Sequence, residues 1–223
     1  MSKVAIGFLT KDRVELSRSS IEPLLQPDKF DRFCFDGSTT NEGRSFFERM
    51  AVKSIIDAKF IRAYTNVRGG ADAAVVFALT TMLNSTEDYT HVGLCENDVL
   101  VGAGWFEATM ALFARGQQEG LEVGAVSARC YEDRVLVQRD GYALMHNLGW
   151  GQVIFTRHAA ALTLQYFRTG HTAENRRLFA QLTGKDIGAW WAFRGSYHQT
   201  CADWQFDKVL AQHGLASLAL TPA

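Results

Sequence analysis

The stretch His91 to Gly104 reads HVGLCENDVLVGAG: an apolar run that breaks into Glu96, Asn97 and Asp98 and then resumes. A short run of this kind is a strand buried along its length. It delivers a cluster of oxygen donors at its C-terminal end. Oxygen-only donors favour Mg²⁺ or Mn²⁺ over zinc, and such an ion most often holds a phosphate or diphosphate. Three more apolar runs end in polar residues: Thr10-Lys11-Asp12-Arg13, Asp36-Gly37-Ser38 and Ser127-Ala128-Arg129. In an open parallel sheet these ends share one edge and line one crevice. Taken singly, Asp12 or Asp36 is equally an ordinary cap or turn aspartate. Gly69-Gly70 ahead of a helix would let backbone approach a diphosphate, or is simply a turn. Asp203 at a helix start reads by itself as an ordinary N-cap. The chain has neither GxxxxGK[ST] nor GxGxxG, which excludes P-loop and dinucleotide-binding readings.

The elements that must carry these residues alternate over the first half. Strands are expected at Val4–Leu9, Asp31–Phe35, Lys59–Tyr64, Thr90–Cys95 and Glu122–Ser127. Helices are expected at Val14–Leu25, Arg44–Asp57, Ala71–Leu83 and Trp105–Arg115, the last stopped by Gly116 or Gly120. Asp12 is expected to cap the first helix, and Asp36 to Gly43 to form a loop. This pattern predicts an α/β fold, a mostly parallel central sheet with helices on both faces. Past about residue 130 the alternation breaks. Arg134–Gln138 and Gly141–Met145 read as a hairpin across Arg139-Asp140-Gly141, Gly151–Phe155 and Ala216–Leu220 as strands, and Arg157–Phe167, Ala173–Leu182 and Asp203–His213 as helices. The second half is read as a small antiparallel extension of the same domain.

With 223 residues, 47% of them apolar, the chain can bury a full core. A net charge of −1 gives no sign of a nucleic-acid partner or an electrostatic membrane anchor. No uncharged apolar run approaches the roughly 20 residues of a membrane helix. The N-terminus reads as a first strand, not a signal peptide. Cys34, Cys95, Cys130 and Cys201 lack CxxC spacing, which suits buried thiols in a reducing cytoplasm better than disulfides or zinc.

The ordered set of motifs resembles a GT-A glycosyltransferase. It is most similar to the large inverting family that includes many bacterial polysaccharide-building enzymes. The residues that carry the likeness are Thr10-Lys11-Asp12-Arg13, Asp36-Gly37-Ser38, Gly69-Gly70-Ala71-Asp72-Ala73-Ala74, Glu96-Asn97-Asp98 in the place of an Asp-x-Asp motif, and Cys201-Ala202-Asp203-Trp204-Gln205-Phe206-Asp207. The resemblance implies one GT-A domain over residues 1–223, with a nucleotide-sugar half at 1–130 and an acceptor half at 131–223. It implies that Thr10, Asp12, Arg13, Asp36, Ser38, Gly70 and Asn97 line the nucleotide, with Asp36 on the nucleobase, typically uracil. Asp98, with Glu96 beside it, would hold Mn²⁺ or Mg²⁺ against the donor diphosphate, and Asp203 would deprotonate the acceptor hydroxyl. The implied reaction is inverting transfer of a hexose from a nucleotide sugar, typically a UDP-sugar, to a glycan or glycoconjugate.

Two departures stand out. The first acidic position is Glu96 rather than Asp, one methylene longer. A histidine that many members carry after the last strand has no counterpart before Ala223, leaving His146, His171 and His198 as candidates, each equally a surface histidine. Trp190, Trp191 and His198 are candidate acceptor contacts, since sugars stack on aromatic faces; Trp150 is read as core. Two other readings compete. A sugar-nucleotide-forming nucleotidyltransferase would want a glycine-rich loop after the first strand, which Thr10 to Arg13 lacks. A non-catalytic carbohydrate- or nucleotide-binding module would bind without turnover.

Overall fold

The computed structural model describes residues 3–20, 29–52, 59–62, 70–149, 151–165 and 202–221. The expectations for Trp150, His171, Trp190, Trp191, His198 and Cys201, and for the helix at 173–182, lie outside these residues.

The strands are β1 (Val4–Thr10), β2 (Asp31–Asp36), β3 (Lys59–Arg62), β4 (His91–Glu96), β5 (Val123–Ser127), β6 (Val135–Arg139), β7 (Tyr142–Met145), β8 (Gln152–Thr156) and β9 (Ala216–Leu220). The helices are α1 (Val14–Ser20), α2 (Asn41–Val52), α3 (Gly70–Leu83), α4 (Trp105–Gln118), α5, described over 157–165, and α6 (Ala202–Gln212). The strands form one nine-stranded sheet in the order β3-β2-β1-β4-β8-β5-β9-β7-β6.

A mostly parallel sheet was the expectation, and here the structure differs. The pairs β1–β2, β1–β4, β2–β3 and β5–β9 are parallel, while β4–β8, β5–β8, β6–β7 and β7–β9 are antiparallel. The β6–β7 hairpin, paired to β9, is an antiparallel extension at one edge, but the pairings of β8 are not. β8 sits in mid-sheet between β4 and β5. A parallel neighbour needs a crossover of a dozen or more residues, usually a helix. Between β5 and β8 the chain makes only the β6–β7 hairpin and returns, so β8 enters reversed. Two reversals restore direction: β5 runs with β4, and the C-terminal ends of β1, β2, β4 and β5 lie on one edge of the sheet, as expected.

Strand alternation feeds two cores. One face buries Ala5, Leu9, Phe33, Phe35, Val92, Leu94 and Phe155 against Val75, Leu79 and Met82 of α3 and Phe206 and Leu210 of α6. The other buries Val4, Ile6, Phe8, Cys95 and Ile154 against Trp105, Phe106, Leu112 and Phe113 of α4. Helices therefore cover both faces. α4 runs past Gly116, which is no stop signal: a Cβ there would lie 2.4 Å from Val123 Cγ2, so this glycine lets α4 press onto β5. The helix ends before Gly120, at φ 80°. α2 starts at Asn41, inside the run read as loop, because the Thr40 hydroxyl accepts the Gly43 N–H at 3.1 Å and caps it.

Candidate nucleotide and metal site

The crevice is built on Asp36, the last residue of β2 and 1% exposed. Its Oδ1 accepts the Thr10 hydroxyl at 3.0 Å, the Ser38 hydroxyl at 2.6 Å and the Ser38 N–H at 3.1 Å. Its Oδ2 is buried and has no hydrogen-bond partner among the described residues. This carboxylate has one saturated oxygen and one with capacity for a further donor. Thr10 and Ser38 thus orient Asp36, and the Gly37 N–H bonds Thr10 O at 2.8 Å to close the corner.

The loop after β1 is held in a costly shape. Asp12 and Arg13 lie at φ 46° and 51°, in the left-handed region that costs a non-glycine residue about 1–2 kcal/mol. Several bonds over-determine it. The Asp12 N–H donates to Ser38 Oγ at 2.9 Å, and Asn97 Nδ2 donates to Asp12 O at 3.1 Å and Ser17 Oγ at 2.8 Å. The Arg13 guanidinium pairs with the Asp98 carboxylate. The expectation that Asp12 caps α1 is corrected. Its carboxylate reaches across to the next loop and accepts the N–H and hydroxyl of both Thr39 and Thr40, at 2.6 to 3.3 Å. Gly43 makes room, since a Cβ there would lie 2.8 Å from Asp12 Oδ1.

Partial burial pushes the Asp12 pKa up, but the hydroxyls and N–H groups of Thr40 and Thr39 outweigh it and hold the carboxyl down at about 2. With an unfolded value of about 3.9, Asp12 contributes stability that is complete above that value. This contribution is lost as pH falls through about 2. Asp12→Asn is therefore expected to be less stable than wild type at neutral pH, with the gap closing as pH drops from about 4 toward about 2. Urea midpoints across that range check it; a gap that stays constant would contradict this account of the loop.

Glu96 ends β4, the neighbour of β1, and Asp98 lies two residues beyond it. The side chain of Asn97, between them, is turned to the β1–α1 loop. Two carboxylates with only oxygen donors suit Mg²⁺ or Mn²⁺, which bind through one or two carboxylates and take further ligands from phosphate. No group of three or more His, Cys, Asp or Glu able to hold a metal exists among the described residues. The neighbouring thiols take no part. Burial pushes Cys34 up to about 12, and burial with the nearby Glu96 and Asp98 charges does the same to Cys95, so both stay protonated. Cys34 and Cys95 are buried free thiols, and Cys130 is free and half-buried.

Gly70 opens α3 and Asp203 is the second residue of α6, inside its first turn rather than at the N-cap position. α6 is pinned by residues of the 201–207 motif, Phe206 and Asp207, to which the sequence assigned no role. Asp207, 4% exposed, accepts the Leu148 N–H at 3.0 Å and the Ser217 hydroxyl, and Phe206 packs edge-on against Phe155 with centroids 5.3 Å apart. Spacing held the clue: Asp207 lies one helical turn past Asp203. Beyond Ser127, the guanidinium groups of Arg129 and Arg134 lie over the Tyr131 ring, 4.4 and 4.1 Å from its centroid. His146 is exposed, with its backbone N–H on Arg134 O at 3.0 Å.

No family model matches the chain, and no curated protein does. Solved structures do. The mannosyltransferase PcManGT from Pyrobaculum calidifontis, in complex with GDP-Man and Mn²⁺, is 18% identical with a TM-score of 0.58, over 99% of this chain and 54% of that one. TarS from S. aureus is 12% identical with a TM-score of 0.60, over 99% and 35%. TarS 1-349 in complex with UDP-GlcNAc gives 12% and 0.58, over 99% and 56%. The chain thus spans between about a third and just over half of these proteins. No helix among the described residues is long and apolar enough to cross a membrane. At such identities the likeness is one of fold, and the fold of this chain is GT-A-like, that of the glycosyltransferases.

Proposed function

We propose that this chain binds a nucleoside diphosphate sugar along the crevice and transfers its sugar, with inversion, to a hydroxyl of a glycan or glycoconjugate. The observation that carries this reading is the orphaned, buried Oδ2 of Asp36, at the strand edge of a fold whose solved examples hold GDP-Man, UDP or UDP-GlcNAc. A nucleobase imide N–H, as in uracil or guanine, is a donor of the right kind for it. Thr10, Ser38, Asp12 and Asn97 hold the loops around that contact, and Arg13 and the start of α3 at Gly70 face the diphosphate. Asp98, with Glu96, would hold Mg²⁺ or Mn²⁺, which when bound offsets the negative charge gathering on the leaving diphosphate. Asp203 takes the proton of the acceptor hydroxyl as its oxygen attacks the anomeric carbon and the bond to the diphosphate breaks. Trp190, Trp191 and His198 are proposed on the acceptor side.

Thermal-shift titration with UDP, GDP and their hexose conjugates, with and without Mn²⁺, tests it. At a hundred times its Kd a ligand adds about 2.7 kcal/mol, or roughly 5–10 °C for a chain of this size. No shift with any of them would overturn the proposal. Binding without release of diphosphate, even with saccharide acceptors, would favour a non-catalytic binding module.

A further inference from the structure

Gln152, the first residue of β8, is 2% exposed. Its Oε1 accepts the Ala128 N–H at 2.5 Å, which fixes how the carboxamide is turned. The Nε2 is then left as a buried donor with no hydrogen-bond partner among the described residues. Such a group is costly unless something completes it.

Its position on the sheet says what that is. Gln152 pairs beside Cys95, Cys95 beside Phe8, and Phe8 beside Cys34; Asp36 follows Cys34 by two residues and so shares its face. The two orphans, the acceptor Asp36 Oδ2 and the donor Gln152 Nε2, therefore stand on one face near one edge. They are three strands apart, about 14 Å at about 4.8 Å per strand. That is on the order of the reach of a nucleoside diphosphate hexose from base edge to sugar ring. β4, whose end carries Glu96 and Asp98, lies between them, where the diphosphate of such a ligand falls. A neutral amide donor suits a hydroxyl or other neutral oxygen, whereas a diphosphate calls for charge such as Arg13 carries.

Resting on the proposed donor site, we propose that Gln152 binds the transferred sugar, Nε2 donating to one of its oxygens, and so helps select the sugar. Two variants test it. Gln152→Glu keeps the acceptor for Ala128 and removes the donor; Gln152→Met removes both. Calorimetry with Mn²⁺ should give wild-type affinity for UDP and GDP in each variant. Affinity for the conjugate that wild type prefers, from a panel including UDP-GlcNAc and GDP-mannose, should fall about tenfold. Wild-type affinity for that conjugate in both variants would overturn the inference and leave Nε2 to a buried water. In wild type, the Gln152 side-chain amide resonance should move with the conjugate and not with the bare diphosphate; equal movement with both would also overturn it. If wild type binds no member of the panel, the donor-site reading itself has failed.

Discussion

Replacing Asp203 by asparagine is expected to lower kcat about a thousandfold, within the 10²–10⁴ range of a positioned general base, while nucleotide affinity in the presence of Mn²⁺ stays at the wild-type level. Asp203 lies in the first turn of α6, where the helix dipole favours the ionised carboxylate a base needs. The helix is fixed two ways, by the buried Asp207 carboxylate on Leu148 and Ser217 and by Phe206 on Phe155. An anchored α6 suits the base proposed on it, because catalysis depends on close placement of the reacting groups. The contrasting variant is Asp98→Asn, which should abolish the gain in nucleotide affinity that Mn²⁺ confers, because it removes a charged oxygen ligand. An aspartate serving only the helix dipole would cost about 0.3–1 kcal/mol of stability on replacement and leave turnover alone. Full turnover in Asp203→Asn would therefore remove it from the mechanism. A Mn²⁺ response retained in Asp98→Asn would remove the metal assignment.

How much of this was legible in the sequence depends on the range of the forces involved. Thr10, Asp36 and Glu96-Asn97-Asp98 announce themselves because a buried strand must be apolar until it ends, and the switch to polar residues marks the edge. The last strand, Ala216–Leu220, matches its expectation to the residue for the same reason. What failed were features decided by partners far away in the chain. β8 reads as a strand, but its reversed entry between β4 and β5 depends on a connection without a crossover helix. Asp12 looks like a cap for its own helix, yet Thr39 and Thr40, 27 and 28 residues on, bind it. Gln152 is an ordinary strand-leading glutamine until Ala128, brought in by β5, turns its amide. Asp207 becomes an anchor only when Leu148 and Ser217 meet it. Thr40, like the one-turn spacing of Asp207 from Asp203, is a local signal: a cap residue inside a run rich in turn formers.

Asp36→Asn should separate folding from binding. The asparagine carbonyl keeps the acceptor that Thr10 and Ser38 use at 2.6 to 3.1 Å, so the corner between β1 and β2 stays closed. The change also removes a buried carboxylate oxygen that has no partner, a group costly to keep buried. The melting temperature of this variant is therefore expected to equal or exceed that of wild type. At the orphaned position, however, an acceptor becomes a donor and meets the donor N–H of a nucleobase. Losing a hydrogen bond to a charged group removes about 1.5–3 kcal/mol, so nucleotide affinity should fall by about 10- to 150-fold. Asp36→Ala gives the opposite signature in stability, because it strands the Thr10 and Ser38 donors at about 1–3 kcal/mol for each group left buried and unpaired. Melting curves and titrations with UDP and GDP decide between the outcomes. An asparagine variant that melts lower yet binds nucleotide normally would make Asp36 a structural turn residue. One that holds its stability and loses the nucleotide shows that this carboxylate is kept, at a cost to the fold, for the ligand.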